Sequence, residues 1–64
     1  MEYRELQEIV RIRHQLRTLS SGGDRGLAAS LLHRMAILAS RDAHDGASLQ
    51  TEVQRWQFVF RLAG

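Results

Sequence analysis

The sequence contains no cysteine and no proline, and all nine of its basic residues are arginine. Aromatic residues are few: one Trp, one Tyr and two Phe. Each absence excludes something. Without cysteine there is no disulfide and no thiolate metal site. A chain of 64 residues that lacks those supports is left with oligomerisation or a partner as its supplement. Without proline, nothing breaks a helix from inside. No stretch approaches the roughly 18 apolar residues that a spanning helix needs. The longest near-apolar segment, 27–40, is interrupted by Ser30, His33 and Arg34. The first five residues show no basic region running into an apolar one, so no secretory signal is read and a soluble, cytoplasmic protein is expected.

What is present points to one small domain, 1–64, because domains rarely divide below about 50 residues. Such a chain buries only about 60% of the surface that it exposes when unfolded. Nine basic and seven acidic residues give a net charge of +2. The sequence pI of 10.5 overstates this, since arginine titrates only above about pH 12. The choice of arginine over lysine follows more readily from a GC-rich coding sequence than from arginine's fitness for planar, bidentate contacts.

Two loop-like clusters, residues 20–26 (Ser-Ser-Gly-Gly-Asp-Arg-Gly) and 41–48 (Arg-Asp-Ala-His-Asp-Gly-Ala-Ser), divide the chain. The three remaining segments carry helical periodicity, and the expected fold is an all-α three-helix bundle with helices at about 2–20, 25–41 and 48–63. In the first segment Ile9, Ile12, Leu16 and Leu19 follow a/d heptad spacing. Tyr3, Leu6 and Val10 form a second strip beside them, widening the apolar arc to about 200°. In the second, Leu27, Leu31, Met35 and Leu38 align, flanked by Ala28, Leu32, Ala36 and Ala39. Asp24 is the expected N-cap, with Ser21 as alternative. A helix this apolar is expected to be central and covered on two sides, with Ile37 projecting from its polar strip. In the third, Ser48 is the expected N-cap and Leu49, Val53, Trp56, Phe60 and Ala63 form the seam. Residues 56–62 also read as a minor strand alternative, being rich in β-formers.

All three apolar arcs exceed the roughly 100° stripe that a small monomeric bundle buries. The bundle is therefore expected to be completed by dimerisation or by a partner. The expected interface comprises Ile9, Ile12, Leu16 and Leu19 of the first helix, or Ile37, Phe58, Val59 and Leu62. Arg13 and Arg17, at the edge of the first arc, would set register against carboxylates of the partner, because burying them unpaired is costly.

Other chemistries are weaker on this sequence. Gly22-Gly23-Asp24-Arg25-Gly26 precedes a helix but lacks the strand and the Gly-Lys-Ser/Thr of a phosphate loop. Asp42, His44 and Asp45 lack the spacing of a three-ligand metal site, so no metal and no cofactor is expected. No nucleophile–base constellation is apparent, and a bundle this small leaves little room for a pocket of about 300 Å³. Neither catalysis, a small-molecule substrate nor membrane association is expected. Gln50, Gln54, Gln57 and Arg61 recur on one side of the third helix and are of types that read base edges. The alternative is thus a small dimeric DNA-binding regulator using that helix. A net charge of +2 is a weak footprint for it, and the 41–48 connection is longer than a helix-turn-helix turn. The favoured reading is a non-enzymatic protein-interaction module: a regulator, adaptor or partner-stabilising chaperone.

Overall fold

A computed structural model describes residues 2–42, 44 and 46–62. It contains three α-helices and, among the described residues, no strand: α1 (Tyr3–Leu19), α2 (Arg25–Arg41) and α3 (Gly46–Val59). The all-α three-helix architecture is therefore as read, and residues 56–59 belong to a helix rather than a strand. No helix among the described residues is long and apolar enough to cross a membrane.

Local chemistry accounts for most of the helix ends. At the start of α1 the Glu2 backbone N–H donates to the Glu5 carboxylate at 3.4 Å, a capping-box contact. The helix stops where Gly22 adopts φ +113°, a conformation that side chains resist. Asp24 caps α2 as expected: its Oδ1 accepts from the Gly26 and Leu27 backbone N–H groups at 2.8 and 3.4 Å. The third helix departs from expectation at both ends. It begins at Gly46, two residues before Ser48. It ends at Val59 because Leu62 N–H reaches back to the Gln57 carbonyl (2.8 Å) and Arg61 N–H to that of Phe58 (3.1 Å). This is a Schellman closure, and Arg61 occupies its left-handed position at φ 55°. The expected seam residue Ala63 lies outside the described residues.

The core is built from Ile9, Ile12 and Leu16 of α1, Ala28, Leu32, Met35, Leu38 and Ala39 of α2, and Leu49, Val53 and Phe60 from α3 and its closing turn. As expected, α2 is central, and it packs against both neighbours. Its buried face is turned relative to the expected line, so that Leu27 is exposed and Ala28 buried. The small Ala28 and Ala39 allow close approach, and Gly46 extends this: a Cβ there would stand 2.5 Å from the Ala39 carbonyl oxygen. At the other end of the same helix pair, the Arg25 guanidinium donates to the Arg61 carbonyl at 2.8 Å. Contacts at both ends make α2 and α3 an antiparallel hairpin. The Arg34–Glu8 ion pair (2.6 Å) likewise joins α2 to α1.

The outer helices α1 and α3 approach each other far less than either approaches α2. The Cα dimensions of the molecule are 32 × 21 × 14 Å. A triangle of helices packed at the usual 8–10 Å spacing would be about 15 Å across in both short directions. The molecule is wider than that in one of them, and a groove runs between α1 and α3.

Candidate functional site

Two a/d seams compete for the core on α1. One, Ile9-Ile12-Leu16-Leu19, is aliphatic throughout. The other, Tyr3-Leu6-Val10, runs at the same spacing into Arg13 and Arg17. Burying two guanidiniums without carboxylates would cost more than the extra apolar area gains. The aliphatic seam therefore turns inward, and the structure corrects the expectation that it forms an interface. Ile9, Ile12 and Leu16 are buried within the single chain, and Leu19 is packed against the core. The second strip is left outside, with Tyr3 73%, Leu6 50% and Val10 62% exposed.

Leu6 and Val10 form one wall of the α1/α3 groove. Together with Ile9 and Leu49 they line a recess of about 240 Å³, with Asp42 at its edge. The recess continues past Arg13, Ser48 and Glu52 into a second, more open one of about 530 Å³ that Arg17, Thr51 and Arg55 complete. The second is larger than the sequence suggested, but it is a trough open to solvent rather than an enclosed pocket.

Arg13 spans the groove. Its Nε and Nη2 each donate to a Glu52 carboxylate oxygen at 2.7 Å, a bidentate arrangement. Trp56 Nε1 donates to the same carboxylate at 3.3 Å. Hydrogen bonding to Arg13 above all, with that of Trp56 and the nearby Arg13 and Arg17 charges, holds the Glu52 carboxyl below its ordinary range against the opposing effect of burial. Arg13 is correspondingly raised. So Arg13, expected to meet a carboxylate of another chain, meets one of its own. The pairing was hidden in the sequence because 39 positions separate the two residues. Arg17 and Arg55 are exposed and carry no ion pair among the described residues. One end of the groove is thus apolar and the other cationic.

The remaining expected interface residues do not form one patch. Phe58 and Val59 are 84% and 54% exposed, and Ile37 is just exposed at 37%. Ile37 lies near the end of α2 that packs on the start of α3, whereas Phe58 is in the last turn of α3. About ten residues of helical rise, roughly 15 Å, separate those levels. Leu62 is partly buried against the core, directed there by the Schellman turn.

Of the expected DNA-reading face, Gln50 and Gln54 are exposed, and Gln57 is half-buried beside Ala29, Leu32 and His33 of α2. Arg61 does not continue that face, because the helix has ended before it. The connection between α2 and α3 is only residues 42–45, so its length no longer argues against a helix-turn-helix. The antiparallel packing of the two helices does, since that motif crosses them at about 90–120°. In the 41–48 segment Asp42 Oδ1 accepts from the His44 backbone N–H at 2.9 Å, an Asx-type turn. Asp45 lies outside the described residues, and no group of three or more potential ligands occurs among those described.

Glu52 and Arg55 are groove residues that the sequence does not single out. Leu49 takes its expected place in the α3 seam, buried at 6% exposure, and also borders the recess. The available signal was the second a/d seam on α1 and the change from apolar to cationic along it. Compared with known proteins, the chain matches no family model, no curated protein and no solved structure.

Proposed function

We propose that this protein is a non-enzymatic helical module that binds a partner protein along the α1/α3 groove, in the manner of a regulator, adaptor or partner-stabilising chaperone. One observation carries the reading: an exposed strip of Tyr3, Leu6 and Val10 beside a groove that the chain's own helices leave open. Single exposed apolar residues need no explanation, but a contiguous strip rimmed by polar groups marks an interaction surface. Tyr and Arg are also the residue types that interfaces favour. The polar groups of the groove suit binding better than catalysis. Glu52 accepts hydrogen bonds from both Arg13 and Trp56 and has a lowered pKa, which makes it a weak base.

Photo-crosslinking in the source cells tests this. A crosslinking side chain at Val10 is expected to form adducts with another protein, while one at Gln15, on the opposite face of α1, forms none. Adding Leu6→Ser should abolish the Val10 adduct. Equal adducts at both positions would overturn the proposal, as would sequence-selective DNA binding that is lost in Gln54→Ala.

A further inference from the structure

We infer that the occupant of the groove is an acidic amphipathic helix of a different protein, whose apolar face lies on Leu6, Val10 and Leu49 and whose carboxylates meet Arg17 and Arg55. This rests on the protein-binding reading above and adds the chemistry of the partner. The shape of the groove comes first. The outer helices make few contacts with each other, and the Arg13–Glu52 bridge crosses the groove between them, so a fourth helix would lie along the rim on that bridge. A helix of roughly 18 residues would run along α1, being about 27 Å long. Such recognition places one apolar stripe in a groove and a polar flank at its rim.

The charge comes second, and it argues against a second copy of this chain. Arg17 and Arg55 line the open end without an ion pair among the described residues. The chain's own described carboxylates are engaged. Glu8 is paired with Arg34 and Glu52 with Arg13. Asp24 caps α2, and Glu2 and Glu5 form the capping box at the start of α1. Asp42 holds the turn to His44. Among the described residues no helix of this protein offers an apolar stripe flanked by uncommitted carboxylates: α2 contains no acidic residue, α3 contains only Glu52, and on α1 Glu8 is paired with Arg34 while Glu2 and Glu5 are taken up in the capping box. The complement that the cationic end requires must come from another sequence. Asp42 borders the apolar end, so the partner's acidic residues belong at one end of its helix only.

Two synthetic helical peptides of roughly 18 residues, alike in their leucine stripe but bearing either glutamates or glutamines at one end, provide the test. Titrated into the isotope-labelled full chain, the glutamate peptide is expected to shift the amide resonances of Leu6, Val10, Arg17, Leu49 and Arg55. The glutamine peptide should bind about tenfold more weakly, two exposed ion pairs being lost. Arg17→Glu with Arg55→Glu should erase that difference while leaving the spectrum of the free protein dispersed. Equal affinity for both peptides would overturn the acidic partner yet leave the protein-binding reading standing. Concentration-dependent dimerisation that protects Val10 and excludes the glutamate peptide would make the occupant a second copy and overturn the inference. Failure of both peptides together with absence of a Val10 crosslink would remove both readings.

Discussion

Leu16 has no exposed surface and sits where α1 meets α2. Truncating a buried leucine to alanine costs about 2–5 kcal/mol. A domain of this size has roughly 3–5 kcal/mol in total. Leu16→Ala is therefore expected to lose the cooperative thermal transition seen by circular dichroism, and an unchanged melt would show that the core is redundant there. At Glu52 the effect depends on pH. Its carboxyl is held below the ordinary range by Arg13, whereas in the unfolded chain it titrates near the usual value of about 4.3. Stabilisation from the pair is complete above that value and is lost as pH falls through the lowered folded value. Urea denaturation should thus give constant stability from about pH 7 to 5 and a decline below about pH 4. Glu52→Gln should shrink the decline without abolishing it, because Glu8 is lowered in the same direction by Arg34. The change is expected to be modest, since the Arg13 side chain is 39% exposed and water screens the pair.

At the level of helices and turns, two backbone positions make opposite predictions. Gly46 opens α3 against the Ala39 carbonyl oxygen, with no room for a Cβ. Gly46→Ala must separate α2 from α3 at that end, and a loss of about 1–3 kcal/mol is expected from overpacking. Arg61 is the reverse case. It holds a left-handed conformation at φ 55°, which glycine adopts without the cost of roughly 1–2 kcal/mol that a side chain incurs. Its contribution to the fold is its carbonyl, which accepts from Arg25 and survives substitution. Arg61→Gly is expected to leave the denaturation midpoint unchanged or raise it, and a clear drop would show that the side chain itself matters. The same turn explains why residues 60–62 do not extend α3: the closing hydrogen bonds of Arg61 and Leu62 capture its last carbonyls.

For the molecule as a whole, the separation of fold from surface is the feature to test. Tyr3, Leu6 and Val10 lie on solvent while the aliphatic seam behind them fills the core. Leu6→Ser with Val10→Ser should remove the groove's apolar wall yet change folding stability by no more than about 0.5 kcal/mol per site, as is usual for surface positions. Chemical denaturation of the purified double variant checks this, and a collapse in stability would mean that the strip belongs to the fold. The variant is then a clean probe of binding. Phe58 is more exposed than any residue of the strip, but it stands at one end of α3 with Ile37 far along the molecule. It lies outside the α1/α3 groove, which makes it the poorer anchor there.

Much of this was legible in the sequence. Helical periodicity, the two loop-like breaks, the Asp24 cap and the central place of α2 follow from local chemistry and from the width of each apolar arc, and so does the surplus of apolar surface over what three helices cover. The interface was not legible residue by residue. Periodicity shows that α1 has two seams and does not rank them. The ranking is tertiary: Arg13 pairs with Glu52 on α3, Arg17 forms no ion pair among the described residues, and the seam that leads to them stays outside. The end of α3 was also decided by hydrogen bonds that composition does not reveal. The width of the groove depends on how closely α2 draws each neighbour through Ala28, Ala39 and Gly46. Sequence alone determined that some apolar surface would remain uncovered; packing determined which surface, because a helix buries the face whose neighbours cost least to desolvate.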